Sequence, residues 1–145
     1  MNRLVAVVVV FAVAGLVALL LQRRRPAPPT QPTAYPVPTQ LDRADFTRPE
    51  APWLVVLFSS ETCGGCEAMR EKTAVLAASD VAYQDVPYQT NKDLHGRYNI
   101  EAVPLVVIVD SEGVIVNSFV GEVTAIDLWG AVATARDPSS QPHSP

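Results

Sequence analysis

Two uninterrupted apolar runs limit the folds open to this chain more than anything else in it. Trp53 to Phe58 reads WLVVLF and Leu105 to Val109 reads LVVIV. Neither alternates apolar with polar residues, as a strand with one wet face does. A strand without a polar face has to be covered on both sides, so both runs are predicted as buried strands of a sheet lying between two layers. That arrangement is α/β.

The segments around them supply the other elements. From Cys63 to about Ala78 there is no proline, and Cys66, Met69, Thr73 and Leu76 recur at helical spacing, which predicts a helix with Thr62 as its N-cap. Val81 to Val86 reads as a short strand, and Asn91 to Tyr98 as a short helix with Leu94 and Tyr98 on one face. Asp110-Ser111-Glu112-Gly113 is a turn, and Val114 to Val120 returns antiparallel to LVVIV. Thr124, with Asp127 three residues on, opens a last helix to about Arg136 that points Leu128 and Val132 inward and leaves Trp129 at its edge.

The N-terminus belongs to none of this. Leu4 to Leu21 is 18 residues without a charge, long enough as a helix to span roughly 27 Å of hydrocarbon. The expectation is an uncleaved anchor over residues 1–25. The alternative is a secretory signal cut after Ala14, which would leave a mature chain starting with more apolar residues and three arginines. Arg23, Arg24 and Arg25 follow the span and Arg3 precedes it, so the positive-inside rule places the C-terminal part in the cytoplasm. The opposite orientation is the alternative. Residues 26–40 contain six prolines and no charge, which predicts an extended spacer in preference to a ligand for proline-recognition domains. One domain is expected over 41–136 and a frayed tail over 137–145.

Charge narrows the partners. All 15 acids lie between Asp42 and Asp137 with only seven of the 11 bases, a net of −8 for that segment. Nucleic acid is thereby an unsuitable partner, since phosphate binding draws on clustered lysine and arginine.

The chain has two cysteines, Cys63 and Cys66, too few for a disulfide scaffold. They stand where the first apolar strand passes into a helix. The positive end of a helix dipole and its unpaired N–H groups stabilise a thiolate there, and a second thiol one turn along can attack a mixed disulfide. Gly64 and Gly65 let the loop close and leave the first sulfur open. Half of a zinc site is the bland reading, but four ligands are usual and only His95 and His143 remain to help. His95 also lacks an orienting partner for work as the base of a cysteine hydrolase, and it reads as a solvated helix residue.

Strand, Cys63-Gly64-Gly65-Cys66 and helix, then Tyr98 to Pro104 leading into LVVIV, then Phe119-Val120-Gly121 before the last helix, together resemble the thioredoxin family from about Gln40 to Arg136. The resemblance implies a cis peptide at Val103-Pro104 beside the cysteines, with the Val103 backbone pairing to an extended substrate. Four departures stand against it. The dipeptide is Gly64-Gly65 where the family usually has Gly-Pro, Leu57 occupies the place of its buried acid, Thr62 that of its tryptophan, and too few residues separate the proline-rich spacer from Cys63 for a full first strand and helix. Glu61 is a candidate for the missing carboxylate, although its position suggests an exposed acid at a helix start.

The expectation is therefore a thioredoxin-like α/β fold, a mixed sheet of four or five strands with helices on both faces, preceded by one transmembrane helix. Cys63 would be the nucleophile and Cys66 the resolving thiol, with Val103, Pro104, Gly64 and Gly65 presenting the substrate and neither organic cofactor nor metal needed. Partners would be disulfide- or thiol-containing proteins, a further redox protein and the membrane. The rival expectation is a binding module that recruits a protein or a soft metal ion with little redox turnover.

Overall fold

In the computed structural model, which describes residues 35–137 and Val13, the two apolar runs are the inner strands of a four-stranded sheet. β1 spans Trp53–Ser59, β2 Val81–Pro87, β3 Leu105–Val109 and β4 Ile115–Val120. Their order is β2-β1-β3-β4, with β1 parallel to β2, β1 antiparallel to β3, and β3 antiparallel to β4. Parallel neighbours need a crossover, and helix α1, Cys66–Ala74, lies on it.

Every residue of β3 is buried, as is every residue of β1 except Trp53. Because successive side chains leave a strand on opposite faces, these runs feed two cores. Leu54, Val56, Phe58, Leu105, Val107 and Val109 meet Leu41, Phe46 and, from helix α2 (Lys92–Arg97), Leu94. Val55, Leu57, Val106 and Ile108 meet Met69 of α1 and Leu128 and Val132 of helix α3 (Ala125–Arg136). Helices thus cover both faces, and each buried Val, Leu, Ile or Phe contributes about 1.5–3 kcal/mol relative to exposure.

The stretch before β1 closes the first core without a long strand. Gln40 bridges Val114, the Leu41 N–H donates to the Gly113 carbonyl at 2.8 Å, and the Ile115 N–H donates to Thr39 at 3.0 Å. Thr39 and Gln40, which the sequence suggests are spacer, are thus tied to the sheet; they follow the last proline of the segment and keep their N–H groups. A 3-10 turn, Arg43–Asp45, follows under an Asp42 cap. Arg43 is buried there and donates to the carbonyls of Asp110 at 2.6 Å and Ala51 at 2.8 Å. Burial pulls the guanidinium pKa down. Tyr98 and Arg97 reach from the end of α2 to the Asp45 carboxylate, fastening that turn to the helix.

Three expectations need correction. The helix begins at Cys66, not at Cys63, and its N-cap is Gly65 with no side-chain bond. Thr62 caps nothing: its hydroxyl pairs with Ser60 Oγ at 3.1 Å within a turn. His95 is not solvated but 3% exposed, with Nε2 2.8 Å from the Val86 carbonyl and its ring edge-on to Phe58 and Tyr88. Since a carbonyl only accepts, Nε2 carries the proton. Among the described residues no helix is long and apolar enough to cross a membrane. The expected anchor, apart from Val13, the spacer up to Ala34, and the tail after Asp137 lie outside the described residues.

Candidate active site

Register brings the candidate residues to one end of the sheet. Phe58 pairs with Leu105, Leu105 with Val120, and Ser59 with Pro87. The segments leaving β1, β2 and β4 and the segment arriving at β3 therefore meet at that end. They contain Cys63 to Cys66, Gln89, Gly121 with Glu122, and Val103 with Pro104.

Cys63 and Cys66 are joined by a disulfide, with Cα atoms 5.4 Å apart. Their surroundings differ. Cys66, the first helical residue, is 1% exposed on the face of α1 that also buries Met69 and Thr73, whereas Cys63 lies in the preceding turn and is only partly covered. The turn is built from its own backbone and from the loop after β2. The Cys63 N–H donates to Ser60 O at 3.2 Å, and the Cys66 N–H donates to Cys63 O at 3.3 Å. Gln89 clamps it, donating from Nε2 to Ser60 Oγ at 3.0 Å and accepting the Glu61 N–H at 3.1 Å. Glu61 itself is exposed.

The Val103-Pro104 peptide is cis. Pro104 is buried and Val103 half-buried. The Pro104 carbonyl accepts the Gly121 N–H at 2.8 Å. Gly121 has φ +85°, a region that glycine enters without a side-chain penalty. The next residue, Glu122, lays its side chain on the cysteine loop: a Cβ added to Gly65 would stand 2.8 Å from both Cγ and Oε1 of Glu122. Nothing comparable lies over Gly64. Beyond it, the Val123 N–H meets Met69 Sδ at 3.4 Å, and Lys72 Nζ donates to the Val123 carbonyl at 2.9 Å. Contacts thus run from Pro104 through Gly121 and Glu122 to Gly65 and α1.

Under the helix, Leu57 is wholly buried in an apolar core. Its neighbour in register on β2 is Asp85. That carboxylate accepts the hydroxyl of buried Ser59 at 2.6 Å and Nε of Arg70, one turn after Cys66, at 2.7 Å. The bond to Asp85 holds the Arg70 guanidinium above its ordinary range. Gln89, Asp85 and Glu122 all escaped the sequence reading. Only Glu122 had a signal, since it directly follows the Phe119-Val120-Gly121 stretch that carries part of the resemblance. Among the described residues no three His, Cys, Asp or Glu side chains gather in a group able to hold a metal ion.

The arrangement offers one partly exposed cysteine and one buried cysteine at a helix start, which suits an exchange in which the first meets a partner and the second stays inside. Comparison with known proteins agrees with the fold. A mutant thioredoxin from Halobacterium salinarum NRC-1 is 21% identical with a TM-score of 0.51, over 59% of this chain and 75% of that one. A structure described as that of a malarial protein is 14% identical with a TM-score of 0.52, over 57% of this chain and 94% of that one. No curated protein matches the sequence. The family model for thioredoxin matches residues 42–134, well over half of the 145 residues, and the chain belongs to the thioredoxin family.

Proposed function

We propose that this chain is a membrane-tethered thiol–disulfide oxidoreductase acting on proteins, with Cys63 as nucleophile and Cys66 as resolving thiol. The observation that carries the reading is the unequal burial of two disulfide-bonded cysteines at the start of a helix. In the reducing direction, the Cys63 thiolate attacks a substrate disulfide, forms a mixed disulfide and expels one substrate thiolate. The Cys66 thiolate then attacks the Cys63 sulfur, releases the second substrate thiolate and leaves the Cys63–Cys66 disulfide. The substrate gains two electrons and the pair loses two; a dithiol partner returns them by the same exchange run backwards. Val103 offers backbone to an extended substrate, Pro104 keeps other groups off the thiols, and Gly64 and Gly65 leave the approach open. No metal or organic cofactor enters these steps.

The tether is the apolar stretch from Leu4 to Leu21, and the spacer after it holds the domain off the bilayer. Arg23 to Arg25 favour a cytoplasmic domain, where reduction is the direction in keeping with the compartment. An external domain or a secreted one is the alternative, and reporter fusions to the C-terminus separate them. Leu57, apolar and buried where the resemblance expects an acid, favours the second reading of a recruitment module whose thiols seldom turn over.

The experiment is a trapping test in cells. Cys66→Ser leaves a nucleophile that cannot resolve, so it should accumulate mixed disulfides with substrate proteins, while Cys63→Ser should accumulate none. If Cys66→Ser trapped nothing beyond the Cys63→Ser background, the recruitment reading would replace this one.

A further inference from the structure

Glu122 is an acid laid over the reactive loop. Its side chain occupies the space above Gly65, between the two cysteines in sequence, where a Cβ would stand 2.8 Å from its Cγ and Oε1 and would push it aside. Its backbone is fixed from both sides, through the Gly121 N–H on Pro104 and the Val123 N–H and carbonyl on Met69 and Lys72. The residue is exposed, and among the described residues no lysine or arginine pairs with it. By contrast, Glu67 in the first turn of α1 is engaged by Arg70. Glu122 thus holds its carboxylate outside any ion pair at the loop that a substrate must approach, with the Lys72 ammonium on the carbonyl of the next residue, on a domain whose net charge is −8.

Resting on the oxidoreductase reading above, we propose that Glu122 is a specificity-determining residue, which selects thiol–disulfide substrates carrying lysine or arginine beside the reacting cysteine. A substrate joined to Cys63 has to place the residues flanking its own cysteine over the loop. A basic flank meets the carboxylate there and an acidic flank is repelled, and both effects are larger near the protein surface than in bulk water.

The test uses the full chain in detergent and two cyclic disulfide peptides that differ only in having lysines or glutamates beside each cysteine. The quantity read is the ratio of kcat/KM for the two peptides within each variant, which a loss of folded protein leaves unchanged. Wild type should favour the lysine peptide by about three- to tenfold at low salt. That preference should collapse at 1 M salt, where the Debye length is about 3 Å. Glu122→Gln should bring the ratio near one, Glu122→Lys should invert it, and Glu122→Asp should retain part of it. A wild-type ratio of one, or a preference unchanged in both Glu122→Gln and Glu122→Lys, overturns the proposal and leaves the oxidoreductase reading standing. Exchange with neither peptide overturns both.

Discussion

Gly113 shows how a single residue holds the domain's N-terminal closure. Its φ is +85°, and a Cβ there would stand 2.1 Å from the Leu41 carbonyl oxygen. Any side chain faces both a left-handed backbone and a collision with main chain, so Gly113→Ala should lower stability by about 1–3 kcal/mol, read from urea midpoints. Residues of this kind divide by how local their signals are. Gly113 is legible, because Asp110-Ser111-Glu112-Gly113 is a turn sequence between apolar runs. The cysteines are legible for a similar reason, since their spacing is contained in four consecutive letters. His95 is not, because its burial comes from Phe58 and Tyr88, which belong to other elements, and no pattern within a six-residue helix foretells them. Asp85 is hidden likewise: its meaning comes from Ser59 and Arg70, brought to it by strand register and helix packing.

At the scale of elements, apolar pattern predicted existence and order well, and termini less well. Both buried strands, the hairpin and the last helix stand where the sequence puts them, since two-sided burial and capping are written into adjacent residues. The first helix starts later than its capping residue implied. Thr62 hydrogen-bonds Ser60 and is drawn into the turn that Gln89 clamps, and the helix starts only at Cys66, after the Gly65 cap. Thr124, in contrast, does accept the Asp127 N–H at 3.2 Å and bonds the Asp127 carboxylate. The two threonines should therefore behave differently. Thr124→Ala should cost about 1 kcal/mol, the worth of a side-chain cap, and Thr62→Ala less than about half of that. Denaturation curves of the two variants measured side by side check the contrast.

For the whole molecule, alkaline pH probes the packing that joins elements. Burial raises the phenol pKa of Tyr83, which bonds Thr73 of α1, and that of Tyr98, where the nearby Asp45 carboxylate adds to the effect. The folded state holds these protons more tightly than the unfolded chain does. Their contribution is therefore complete below the ordinary phenol pKa of about 10 and is lost as pH climbs through the raised folded values. Urea midpoints should fall between pH 8 and pH 11, and fall less in Tyr98→Phe and Tyr83→Phe; an equal fall in wild type and both variants would show that neither phenol is responsible. Whether two cysteines of unequal exposure divide the work of exchange is read by alkylating the reduced chain at neutral pH and following each cysteine peptide by mass. Cys63 should react at least about tenfold faster than Cys66, since it alone is open beside the first turn of the helix. Equal rates for the two thiols would mean that Cys63 and Cys66 have no such division of labour.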